Sequence, residues 1–321
     1  MKLMQPNQPI SPLDASNSPD VEALFESSQP RPRMIGLAFP VMILFILVVP
    51  FVLRQTREHP VVGLLLLIPL GGFAVMSFML KNFQRSMQDE VRNVEQLEEL
   101  IQLRQWPAAL SRSMSLLSAP MKSDGARLST LIAFSSVLTR YHWFESARRV
   151  HDEILEARSA VDPSIVHTIT VARAMTLLRE DRLVDADSAI GELRRDVNRA
   201  RDAARRAQTS AGKEIDTVAI RAIDSAGLAL LELYRDIKTG HFDEAIELFE
   251  SRMKLMRDQL STRVADAWAL VARAYDAKAR PTEAATAFRR ATSLAPFAEL
   301  SRRYPELVGL DRKFDLPRIP N

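Results

Sequence analysis

Apolar and polar positions follow two different patterns along this chain. From Met34 to Leu53 (MIGLAFPVMILFILVVPFVL) and from Val61 to Leu80 (VVGLLLLIPLGGFAVMSFML), 20 residues pass each time without one charged side chain. From Lys81 onward, apolar residues recur every three or four positions among Ala, Leu, Arg and Glu, which is a helical period. Strand-like alternation is nearly missing, and only six of the ten glycines fall in this part. The pattern predicts an all-α protein.

Each uncharged run is long enough to cross roughly 30 Å of hydrocarbon as a helix. A pair of buried core helices is the alternative, but such helices normally keep a polar stripe and these runs have none. A cleavable leader fits worse, because the first run begins only at residue 34 and a second follows at once. Residues 34–53 and 61–80 are therefore read as a transmembrane hairpin, with Pro40, Pro50 and Pro69 tolerated because neighbouring helices satisfy the freed backbone groups. Both ends of a hairpin lie on one side. Arg31, Arg33, Lys81, Arg85 and Arg92 flank it there, against Arg54 and Arg57 in the loop, so both termini are expected in the cytoplasm. Ahead of the hairpin, residues 1–33 hold six prolines and few large apolar side chains, and are expected to be a disordered tail.

The helical part carries an internal repeat. The turns QWPAAL (105–110), HWFESA (142–147), DRLVDA (181–186), HFDEAI (241–246) and RPTEAA (280–285) each contain a small residue: Ala109, Ala147, Ala186, Ala245 and Ala284. Their separations are 38, 39, 59 and 39 residues, so a period recurs with one insertion of 20, near 197–216. Each unit has an apolar helical run before the turn and another after it. In the last unit Trp268, Val271, Ala272 and Tyr275 share a face of the first helix, and Ala284, Phe288 and Ala291 share a face of the second.

This arrangement resembles the tetratricopeptide repeat, whose consensus spaces Trp, Leu, Gly, Tyr, Ala, Phe, Ala and Pro over about 34 residues. Residues 265–296 match at Trp268, Tyr275, Ala284, Phe288, Ala291 and Pro296, with Val271 and Ala272 in place of Leu and Gly. A second copy contains Gly227, Leu230, Tyr234, Gly240, Phe242, Ala245 and Phe249, while 91–120, 128–159 and 167–196 keep mainly the turn and its alanine. The resemblance implies an α-solenoid of about five helical hairpins over residues 81–296. Residues 297–321 would then form a capping helix and closing tail, with Leu307, Leu310 and Phe314 on its apolar side. It also implies that one face of the first helices takes a peptide or protein partner. Carried over by position, that face holds Ser136, Thr139, Arg140, Met175, Arg179, Arg235 and Arg273. Its arginines suit an acidic segment or a C-terminal carboxylate, unless Glu232, Asp266 and Asp276 neutralise them internally.

Composition narrows the chemistry. The chain has no cysteine, hence no disulfide or thiolate metal site, and a net charge of only +3, small for a dedicated nucleic-acid binder. No glycine-rich phosphate loop is present, and the five histidines form no metal-binding helix motif. His142 and His241 fall at turns, which suggests a turn-forming role. Trp106, Trp143 and Phe144 also sit at turns without interleaved basic residues, which favours core packing over base stacking. The run 194–206 carries Arg194, Arg195, Arg199, Arg201, Arg205 and Arg206 against two aspartates. It is either a patch for anionic lipid or an acidic partner, or a solvated extension of a helix. No catalytic residue, metal or cofactor is called for. The sequence reads as a membrane-anchored scaffold that binds a protein or peptide. The alternative is a structural or assembly subunit of a larger transport or secretion complex, acting through its membrane hairpin.

Overall fold

The computed structural model describes residues 18–29, 61–157, 161–210 and 225–314. Among the described residues there are thirteen α-helices and no strand. They are α1 (Val21–Ser28), α2 (Val61–Gln102), α3 (Trp106–Leu117), α4 (Asp124–Arg140), α5 (Phe144–Glu156), α6 (Pro163–Arg179) and α7 (Leu183–Ser210). After these come α8 (Ala226–Thr239), α9 (Phe242–Gln259), α10 (Val264–Ala277), α11 (Pro281–Leu294), α12 (Phe297–Arg303) and α13 (Leu310–Lys313).

Five helix pairs, α2–α3, α4–α5, α6–α7, α8–α9 and α10–α11, are each joined by a tight turn built the same way. One residue per turn has a positive φ: Arg104 at 59°, His142 at 61°, Asp181 at 59°, Gly240 at 78° and Ala279 at 53°. The next residue's N–H reaches back five positions: Gln105 to Leu100 O, Trp143 to Leu138 O, Arg182 to Leu177 O, His241 to Asp236 O and Arg280 to Tyr275 O, all at 2.8–3.1 Å. This is the Schellman ending of a helix, in which a left-handed residue lets the last carbonyls find donors. Five positions after each left-handed residue stands one of the recurring alanines, Ala109, Ala147, Ala186, Ala245 or Ala284, and all five are fully buried. His142 and His241 occupy successive, not equivalent, places: His142 is the left-handed residue of its turn, and His241 follows Gly240.

The chain divides into two compact units, residues 1–146 and 147–321. In the first, α1 lies within the segment expected to be disordered. Asp20 caps it by accepting from Ala23 N, and tertiary bonds hold it: Ser27 Oγ donates to Leu117 O at 2.7 Å, and Arg127 Nε donates to Ser28 Oγ at 3.2 Å. Val21 and Ser28 are buried. The rest of that expected tail, 1–17 and 30–33, lies outside the described residues, as do the first expected span, 34–53, and its loop. Residues 61–80, the second expected span, are helical and run without a break into the remainder of α2. Among the described residues no helix is long and apolar enough to cross a membrane.

In the second unit the first helices of the last three pairs, α6, α8 and α10, lie side by side in that order. Gly227 permits the approach of α6 to α8, since a Cβ there would stand 3.1 Å from Val171 Cγ1. Of the expected insertion near 197–216, residues 197–210 prolong α7, and 211–216 lie outside the described residues. After α11 the chain turns back. Leu300, Tyr304, Leu307 and Leu310 are buried against the last pair, and the Phe288 ring meets Phe297 at 5.3 Å and Phe314 at 5.5 Å.

Candidate functional site

The returning segment Arg303–Leu307 crosses the row of first helices in the second unit. Tyr304, fully buried, touches all three of them. Its hydroxyl donates to Asp266 Oδ2 on α10 at 3.1 Å, its ring meets Tyr234 of α8 edge-on at 4.9 Å, and the Arg179 guanidinium of α6 lies over it at 5.6 Å. Two residues on, Glu306 Oε1 accepts from Tyr234 Oη at 3.3 Å and lies 3.4 Å from Lys238 Nζ. Lys238 also pairs with Asp181, the left-handed residue of the third turn.

Asp266 is a fully buried carboxylate. Arg303 Nη1 stands 2.7 Å from its Oδ1, and Arg263 Nε stands 3.5 Å from its Oδ2. Such a charge is stable inside a protein only when cations and donors surround it. Burial, reinforced by Asp266, pushes the Tyr304 phenol up; burial, reinforced by Glu306, does the same for Tyr234. Both tyrosines therefore remain protonated donors near neutrality. The arrangement is suited to gripping a short segment by an aromatic ring and a carboxylate.

The face that the repeat resemblance implies is only partly assembled. In the first unit Ser136 and Thr139 turn their hydroxyls onto backbone carbonyls of their own helix, and Arg140 covers the Trp106 ring at 5.1 Å. In the second unit Met175 is buried, and Arg179 reaches the cradle just described. Arg235 points elsewhere, pairing with Asp187 at 2.9 Å and Asp236 at 3.0 Å on the wall of a separate cavity of about 600 Å³. Arg273 lies over Phe242 at 6.0 Å and 3.5 Å from Asp276, which also pairs with Lys313. Glu232 pairs with Arg194 and Asp266 with Arg303, while Asp276 meets Arg273 of the implied face.

In the basic run, Arg194 pairs with Glu232 at 2.5 Å, Arg199 with Asp196, and Arg206 Nε bonds Asp202 O at 3.3 Å. Arg195 lies beside Gly191. Arg201 lines a second cavity, of about 350 Å³, while Arg205 is exposed.

Sequence reasoning missed Tyr234, Lys238, Tyr304 and Glu306 as site residues. The one local signal is that Tyr234 and Lys238 stand one turn apart on one helix. No group of three or more His, Asp or Glu placed to hold a metal is found among the described residues. No protein-family model and no curated protein matches the chain.

Proposed function

We propose that the chain is a membrane-anchored helical-repeat scaffold that holds a protein partner at the membrane surface. The observation that carries this reading is the cradle itself: side chains from three successive first helices already grip a short segment by its tyrosine and its glutamate. Repeat architectures use such rows of helices as elongated binding faces, here the concave side of an α-solenoid. Anchoring is supported by the two uncharged 20-residue runs at 34–53 and 61–80.

Affinity capture of the full chain from detergent-solubilised membranes tests the proposal. The wild type should retain a defined partner. The double variant Arg179→Gln, Lys238→Gln should lose it while keeping its helical signal and melting temperature. Recovery of the same partner at the same yield by the folded variant places binding elsewhere, with the 34–80 segment the next region to exchange.

A further inference from the structure

The cradle is not empty, and its present occupant shows what chemistry it accepts. Three features of that occupant stand out. It is short: Arg303 ends a two-turn helix, Pro305–Leu307 form one 3-10 turn, and Gly309 at φ 95° redirects the chain. It is held mainly by side chains, since its backbone bonds, such as Leu307 N to Tyr304 O at 3.1 Å, stay within the segment itself. Finally, part of the surface beneath it is polar. Lifting Tyr304 and Glu306 away uncovers Asp266, Lys238, Arg179 and the Tyr234 hydroxyl, groups that water solvates well, beside the apolar core that Leu307 joins.

Segments with few long-range backbone bonds open locally at a fraction of the global unfolding free energy. The polar part of the floor lowers the penalty of that opening, while the buried Leu307 side chain raises it. Pro305 also fixes one backbone angle of the occupant, so less conformational freedom is lost when such a sequence docks.

We propose that the cradle of Arg179, Tyr234, Lys238 and Asp266 is a receptor for a partner segment bearing a tyrosine followed two residues later by a carboxylate. In the resting chain Tyr304-Pro305-Glu306 holds that place as a tethered competitor. This rests on the scaffold reading above and names the partner's chemistry. The tyrosine ring fills the space between Tyr234 and Arg179 while its hydroxyl donates to Asp266. The carboxylate takes the Lys238 ammonium and the Tyr234 hydroxyl. Because the competitor is part of the same chain, its effective concentration is of the order of millimolar, and a partner must exceed that to enter.

The probe is a fluorescently labelled peptide, SRRYPELVG, corresponding to residues 301–309. Its anisotropy is titrated with the full chain in detergent. The double variant Tyr304→Ala, Glu306→Ala vacates the cradle and should bind the probe at least tenfold more tightly than wild type, and should ignore the control peptide SRRAPALVG. Equal binding by variant and wild type, or none by a variant that keeps its helical signal, overturns the proposal. Should the variant lose that signal, amide hydrogen exchange of the wild type decides. Exchange at Leu307 and Val308 at least tenfold faster than at the buried positions of α10 supports a displaceable segment, and equally slow exchange overturns it. A wild-type dimer that the probe dissociates would make the occupant a second copy of this chain, which also overturns assignment to a separate partner. The two readings fail separately: a partner captured undiminished in excess SRRYPELVG sinks only this inference, while failure to capture any partner sinks the scaffold reading itself.

Discussion

Four of the five turn residues with positive φ are not glycine, and each pays steric strain between its Cβ and the following carbonyl. Ala279, at φ 53°, is the clearest case because its methyl makes no compensating polar contact. Ala279→Gly should relieve roughly 1–2 kcal/mol of left-handed strain and lose part of that to the greater freedom of glycine in the unfolded chain. A net gain of about 1 kcal/mol is expected, read as a rise of a few degrees in thermal midpoint; Gly240→Ala should move it the other way. His151, buried on α5, makes a second residue-scale prediction. Burial pushes its imidazole down to about 4, with Asp152 opposing and Arg173 reinforcing, whereas in the unfolded chain it titrates near 6.5. The unfolded chain therefore takes the proton first. The stability contributed by neutral His151 is complete above pH 6.5, is lost as pH falls towards 4, and is flat below that. The gap corresponds to about 3 kcal/mol. Melting curves between pH 7 and pH 4 should show this loss in wild type and not in His151→Gln.

At the scale of elements, α7 is two structures in one helix. Its first part faces the core through Ala186, Ala189, Ile190, Leu193 and Val197, all buried. Beyond Val197 the residues to Arg206 are exposed or half-exposed on every side, so that stretch depends on helix propensity and on pairs such as Arg199 with Asp196. Amides from Arg199 to Arg206 should exchange markedly faster than those from Ala189 to Val197, and added salt should widen the difference. Helix existence and register were legible here, because period and small residues are local signals. The next helix opens at Ala226, where Ser225 Oγ accepts from Leu228 N at 3.1 Å. Helix α1 escaped notice because eight residues make a helix too short to stand alone. Val21, Leu24 and Phe25 do keep a helical spacing, but bonds to Leu117 and Arg127, 90 and 99 positions away, hold the helix.

Within the second unit as a whole, helices touch chiefly their neighbours in sequence, the habit of repeat proteins. Damage should then stay local. Ala284, fully buried, sits where α11 crosses α10, and Ala284→Leu adds three carbons with no space to receive them. A loss of roughly 1–3 kcal/mol is expected, seen as faster exchange in α10, α11 and the returning segment while α6 changes little. The site was less legible than the helices for the same reason that the segment escapes this locality. Arg179 is separated from Tyr304 by more than 100 positions, and no periodic signal links a cap residue to the third repeat. The arginines expected on a common face share it by register alone. Register places a residue on a helix, but the neighbouring carboxylates decide where a long side chain finally points, as Asp187 does for Arg235.

The buried carboxylate of Asp266 also bears on how such a chain can grow. Repeat proteins lengthen by duplicating a unit, and a unit is portable only if it brings its own partners. A copied fifth unit, residues 264–296, would bring a second Asp266 without a second Arg303 or Tyr304 to neutralise it, because those lie beyond the copied stretch. With Arg263 its one remaining cation, a buried carboxylate that has lost a partner costs about 3–5 kcal/mol, and each further copy would incur a like cost. Asp266 thus acts as a stop codon written in electrostatics: tandem expansion at this end first requires its replacement by a neutral residue.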